Sequence, residues 1–163
     1  MKHTFVIGTD GSGINEAIRG LEQYEEWLQR KSDELASRLA TMGATYASLG
    51  FARAIYNGPR GADVTVEPRG EGAYAVIASG EEVLFVEFGA GVTYGYGHPE
   101  AQGFGPGTYP SDKGHWDDPN GWWIPKNSGG GHTYGNPPNM PMYTSVKMLE
   151  QEIARVVEEV FVD

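Results

Sequence analysis

Three histidines, His98, His115 and His132, stand seventeen residues apart in a glycine-rich stretch that also holds Asp112, Asp117 and Asp118. Imidazole and carboxylate together suit zinc or a harder divalent ion, provided three or four of them converge in one shell. The spacing matches no local metal motif, so exposed loop polars are the simpler reading and no metal or cofactor is expected. A second chemistry is suggested by Asp117-Asp118 followed by Trp122-Trp123, which has the composition of a sugar subsite. Glycoside hydrolysis, however, needs two opposed acids roughly 5 to 9 Å apart, which adjacent residues cannot supply. Glu87 offers the second acid only if the fold brings it there.

Two further arrangements fall short. Gly8 to Gly13 places glycines ahead of a helix start, as a phosphate cradle would. Its spacing fits neither the dinucleotide fingerprint nor the P-loop, and no Lys-Ser/Thr follows, so a connecting turn is expected. There is no Gly-x-Ser-x-Gly elbow, and no serine is tied to the histidines by a recognisable spacing. The residues therefore lead us to expect no enzyme and no catalytic side chain.

The elements that would position these groups read as α+β. His3 to Ile7 alternates as a short strand, and Ser12 or Asn15 is placed to cap the helix that follows. From Ile14 to about Tyr56, Ile18, Leu21, Tyr24, Leu28, Leu35, Leu39, Met42, Tyr46 and Leu49 recur at helical steps. Gly43 and Gly50 suggest a kink or break in the last third. After Asn57-Gly58-Pro59-Arg60-Gly61, a three-stranded antiparallel meander is expected over Asp63–Glu67, Ala73–Ala78 and Glu82–Phe88, with Ser79-Gly80 turning between the last two. A short strand over Gly121–Lys126 is also expected. Pro141 or Thr144 opens a terminal helix to about Phe161, with Val146, Leu149, Ile153, Val156 and Val160 as its apolar stripe. The expectation is one domain over residues 1–163, its long N-terminal and C-terminal helices packed on a small antiparallel sheet.

Between sheet and last helix the periodicity stops. Residues 90–136 are dense in glycine and proline and carry Tyr94, Tyr96, Phe104, Tyr109, Trp116, Trp122, Trp123 and Tyr134. A loop of this length inside a compact domain is uncommon, and its aromatic content argues against plain disorder. It reads as an extended arm or loop that becomes ordered by packing against something. With Met140 and Met142, these aromatics are the expected assembly contacts, since Tyr and Trp anchor interfaces. A glycan-binding module or a carbohydrate-active enzyme built on the same arm is the alternative.

Charge and composition narrow the classes. The chain of 163 residues has a formal net charge of −10 and no cysteine. That excludes a disulfide scaffold, a zinc-thiolate site and a thiol nucleophile, and it suits assembly in a reducing cytoplasm. Up to Asn57 there are 6 basic and 7 acidic residues; beyond it, 6 and 15. Such a surface repels phosphate, so sequence-specific nucleic-acid binding is not expected, although it could border a passage through which DNA slides. Met1 to Thr9 is too short and polar for a signal peptide, and no apolar run reaches membrane-spanning length, so no membrane partner is expected.

One combination is more specific. A long amphipathic helix leads to a β meander ending in Glu87-Phe88-Gly89; a variable loop then leads to Pro137-Pro138-Asn139-Met140-Pro141-Met142 and a terminal helix. This resembles the tail-completion, or head–tail joining, neck proteins of long-tailed bacteriophages and prophages, in which the strand closes on a Glu-aromatic-Gly turn and a proline-containing segment introduces the last helix. The resemblance covers most of the chain in element order, with Gly91 to Asn136 longer and more aromatic than the family pattern. It implies a non-catalytic virion component, assembled in the bacterial host cytoplasm. It also implies a homo-oligomeric, hexameric ring at the head-proximal end of the tail, touching tail-tube or tail-terminator and head-connector proteins.

Overall fold

The computed structural model describes residues 11–56, 58, 60–91, 94, 97–99 and 118–162. Among these the chain is α+β, as expected. The first helix, α1, spans Gly11–Arg53 without interruption. It starts earlier than the caps expected at Ser12 or Asn15, both of which lie inside it. The strand expected at His3–Ile7 lies outside the described residues. The Arg60 guanidinium holds the far end of α1, donating to the carbonyls of Ala52, Ala54 and Tyr56 at 3.4, 3.2 and 3.0 Å. A cation there meets the negative end of the helix dipole and the carbonyls that lack intrahelical partners.

β1 (Asp63–Gly70) and β2 (Ala73–Ser79) form an antiparallel hairpin that packs on α1. It turns at Glu71-Gly72, with a register shift between Pro68 and Gly70. Val64 and Val66 alternate inward along β1. The third strand expected at Glu82–Phe88 is instead a short helix, α2 (Val83–Phe88), and Ser79-Gly80 joins β2 to it. Val-Leu-Phe-Val-Glu-Phe has strand propensity, and packing overrides it. A strand would send Val86 and Glu87 to opposite faces. The helical turn instead sets Val83 and Val86 against Phe51 and Ala54, and leaves Glu87 buried beside the last helix. That helix, α3, spans Pro141–Phe161. A second, separate hairpin pairs β3 (Trp122–Ile124) with β4 (Gly131–Thr133), so the sheet is two small pairs and not one meander.

α3 runs back along α1. Pro141 meets Gly50, Leu149 meets Gly43, and Phe161 meets Trp27 edge-on at 5.9 Å between ring centroids. The buried positions of α1 in its second half are mostly small: Ala40, Gly43 and Ala47, with Phe51, and Ala54 follows directly after the helix. Small residues at steps of three and four let two helix backbones approach closely. The glycines thus serve contact and do not break the helix. Much of the expected large-residue stripe lies elsewhere: Ile18, Leu21, Leu28 and Leu49 of α1 are exposed, as are Val146 and Ile153 of α3, whereas Val156 and Val160 are fully buried.

A Cβ at Gly50 would stand 2.7 Å from Pro141 Cβ and 3.0 Å from Pro141 Cα, so relief requires backbone movement. At Gly43 the nearest atom, at 3.0 Å, is the mobile end of Leu149. Replacing either glycine by alanine gains about 1 kcal/mol of helix propensity. Gly50→Ala should still destabilise by about 1–3 kcal/mol through overpacking, while Gly43→Ala should be neutral or slightly stabilising. Urea midpoints of the two variants check this; equal shifts would contradict it.

Candidate functional site

Among the described residues, α2, the loop after it and the start of α3 meet in a junction held by many hydrogen bonds. Met140, the residue before α3, has left-handed backbone (φ 54°) and offers no side-chain cap. The missing cap comes from another element. Glu87, 6 % exposed, accepts from the Met142 N–H through Oε2 at 2.8 Å and from the Tyr143 N–H through Oε1 at 2.9 Å. A carboxylate on the first-turn donors of a helix is stabilised by both charge-assisted hydrogen bonds and the helix dipole. His98, 4 % exposed, sets Nε2 at 3.2 Å from the same Oε1, and its ring lies between Phe88, tilted at 4.4 Å, and Tyr143, edge-on at 5.4 Å.

The proline-rich segment completes this clasp. The backbone N–H groups of Asn139 and Met140 donate to the carbonyls of Val86 and Glu87 at 2.9 and 3.3 Å. The Asn139 side chain accepts from the Ile55 N–H at 2.7 Å and donates to the Ile55 carbonyl at 3.3 Å, fastening α3's entrance to the end of α1. Asn136 donates from Nδ2 to the Phe85 carbonyl at 2.8 Å, and its backbone exchanges two hydrogen bonds with Ala90 at 3.0 and 2.9 Å. Glu87-Phe88-Gly89 and Pro137 to Met142 therefore meet, though about fifty residues separate them in the chain. The two roots of the long arm are clasped together at Ala90 and Asn136.

From this base the arm displays the β3–β4 hairpin. Trp122 points inward and is buried, while Trp123 on the other face is 73 % exposed. Trp123, His132 and Tyr134 form a ladder of edge-to-face rings with centroids 5.2 and 5.0 Å apart, and Tyr134 is 55 % exposed. Tyr94 is also exposed. The remaining expected contacts divide: Met140 is half-buried at the clasp, Met142 packs against Phe51, Ala54 and Val86, and Tyr96, Phe104, Tyr109 and Trp116 lie outside the described residues. Trp122 and Met142 are thus committed within the chain. Trp123, Tyr134 and Tyr94 are presented outward.

The residues first considered for chemistry do not come together. His98 is held at the clasp and His132 on the hairpin, while His115, Asp112 and Asp117 lie outside the described residues. Among the described residues, no three His, Asp or Glu side chains are placed to hold a metal. The Asp118 carboxylate accepts from the Asn120 N–H at 2.8 Å, tightening the turn into β3. Glu87, the second acid of a sugar site, is occupied by the α3 backbone.

A cleft of about 250 Å³ lies at the end of α1, lined by Ser48, Phe51, Tyr56, Arg60, Glu82 and Val86 among others. The buried Glu82 carboxylate there accepts from the Gly61 N–H. Burial first, and then the negative charges of Glu82 and Glu81, raise the Tyr56 phenol above its ordinary value of 10.0. The folded state therefore holds that proton more tightly than the unfolded chain. Its contribution is fully present below pH 10 and is lost as pH rises through the raised value. Tyr56→Phe should flatten this alkaline loss of stability, as read by thermal melts across that range; an unchanged slope would contradict it.

Sequence reading missed the junction because the capping carboxylate comes from another element. The available signal was a Glu before a glycine paired with a Pro-initiated helix lacking its own N-terminal Ser, Thr or Asp. Compared with protein-family models, curated proteins and solved structures, the chain matches none of them.

Proposed function

We propose that this chain is a structural, ring-forming subunit of a bacteriophage neck or tail end, joining tail and head components without catalysing a reaction. The single observation that supports it best is the clasp. The two short motifs on which the resemblance to tail-completion and head–tail joining proteins rests form one interlocked junction, with Glu87 of one capping the helix introduced by the other. A rigid junction of this kind holds an arm whose outer face carries Trp123, Tyr134 and Tyr94, residue types that anchor protein interfaces. In this reading the chain assembles as a homo-oligomer in the host cytoplasm, docks on tail-tube or tail-terminator and head-connector proteins, and remains in the virion. Its net negative charge would keep DNA moving past without gripping it.

Light scattering coupled to size-exclusion chromatography, followed by negative-stain micrographs, tests the reading. Closed rings that bind purified tail tubes or connectors are expected. A protein that stays monomeric and binds neither would overturn it.

A second reading, a glycan-binding module, is favoured by one observation, the exposed Trp123–His132–Tyr134 ladder. Flat aromatic faces also stack on sugars. Retention on immobilised peptidoglycan that Trp123→Ala abolishes would support this reading over assembly; no retention would remove it.

A further inference from the structure

α1 is twice the length of its partner helix. α3 is 21 residues long and reaches only as far as Trp27, leaving residues 11–26 of α1 to continue for roughly 24 Å. This overhang and the turn below it carry Ile14, Ile18, Leu21 and Leu28, at steps of four, three and seven and between 41 and 54 % exposed. Those steps keep one face of a helix. A second stripe lies on α3, along the edge of the seam that holds the buried Val156 and Val160: Val146, Ile153 and Val157, at steps of seven and four and between 36 and 52 % exposed.

We propose that the N-terminal overhang of α1, through Ile14, Ile18, Leu21 and Leu28, packs on the Val146–Ile153–Val157 stripe of α3 in a second copy of this chain. The contact is heterologous, each copy giving its overhang to one neighbour and receiving the overhang of the other. Area and charge both select this occupant. The overhang exposes on the order of 400 Å² of apolar side chain and the α3 stripe on the order of 250 Å². At the apolar share usual for interfaces, their union corresponds to roughly 1,100 to 1,200 Å² in all, the lower end of what a stable contact buries. Pairing overhang with overhang would leave every α3 stripe in water.

It would also set like charge against like. Residues 14–28 hold Glu16, Glu22, Glu25 and Glu26 against Arg19 alone, whereas residues 146–157 hold Lys147 and Arg155 against Glu150 and Glu152. Glu158 and Glu159 follow Val157 directly, so an acidic helix is repelled by its own copy more strongly than by α3 around this stripe, though not by its own copy alone. Donor and acceptor stripes on different parts of one chain make a head-to-tail contact, which closes into a ring when the rotation allows. The inference rests on the assembly reading only in requiring that copies associate.

The absence of cysteine from the sequence permits a clean test. Leu21→Cys and Ile153→Cys are made separately, mixed in equal amounts, and treated with a short bismaleimide that tolerates small errors of register. Covalent dimers that form in the mixture at least ten times more than in either variant alone are expected. Dimers in Leu21→Cys alone would overturn the proposal in favour of paired overhangs. No cross-link while light scattering shows an oligomer would overturn it and leave the ring reading standing. No cross-link and no oligomer would overturn both, whereas an Ile14→Cys monomer that a maleimide dye cannot label would overturn the overhang contact alone. As a second arm, Ile18→Glu should weaken self-association at least tenfold while leaving the thermal midpoint of the dilute monomer unchanged, since Ile18 is half exposed.

Discussion

Glu87→Ala should be the most destabilising single truncation of a polar side chain in the described structure, costing about 3–5 kcal/mol. The substitution removes both acceptors from the Met142 and Tyr143 N–H groups and the partner of His98 at once. The carboxylate and the imidazole are both buried, and the two N–H groups they cover are part-buried, so little water is at hand to replace the lost acceptor. Losing an ordinary N-cap costs about 1 kcal/mol; the excess here comes from burial and from the carboxylate's charge. For a chain of this size the thermal midpoint should fall by roughly 8–15 °C. Glu87→Gln separates shape from charge. The amide keeps the volume but has one acceptor oxygen, and its NH₂ would face a backbone N–H, so it should recover less than half of the loss. A Gln variant melting within 2 °C of the parent would show that the junction is held by packing around Phe88 and Tyr143 and not by the carboxylate.

The same residue shows where sequence reasoning stops. Helical periodicity was enough to place α1 and α3, because long amphipathic segments carry their own signal. The β1–β2 hairpin was legible from alternation, apart from its last residues. α2 was not, because a six-residue run of Val, Leu and Phe has no period long enough to separate a buried strand from a buried helical turn. Its state is decided by Phe51 and Ala54 on one side and by the start of α3 on the other. The core ridge of α1 was also hidden. A search for large apolar residues finds Leu21 and Leu28, which are exposed, and passes over Ala40, Gly43 and Ala47, which lie where another helix must approach closely. Large side chains left outside that ridge are the ones available for contacts with other chains.

For the arm, the sequence showed its aromatic content but not how its roots are secured. Residues 90–136 read as an arm that becomes ordered by packing against something, and His98 and Trp122 are buried within the chain itself while Ala90 is bridged to Asn136. The aromatics thus fall into two groups that composition cannot tell apart, those that tether the arm and those it displays.

Gly135→Ala tests that division. Gly135 has φ 101°, a region that costs an L-residue about 1–2 kcal/mol. A Cβ there would also overlap the Ala90 carbonyl oxygen, which accepts the Asn136 N–H. The clash is with backbone, so no rotamer relieves it, and the paired hydrogen bonds between Ala90 and Asn136 must open. The total cost should be about 2–4 kcal/mol, and its location matters more than its size. Native-state hydrogen exchange should speed up at least tenfold at the Ala90 and Asn136 amides, while amides in the second half of α1 keep their protection. Trp123 on β3 and Tyr134, directly after β4, would then be presented without a fixed base. Partner binding through them should weaken because their ordering must occur on contact. If exchange accelerates equally in α1 and at the crossing, the arm's roots unfold with the body as one unit, and rigidity of the clasp is then a property of the whole fold. If it accelerates nowhere, the Ala90–Asn136 bridge is not what secures the arm, and the other contacts of the clasp, His98 on Glu87 and the Asn136 side chain on Phe85 among them, carry that load.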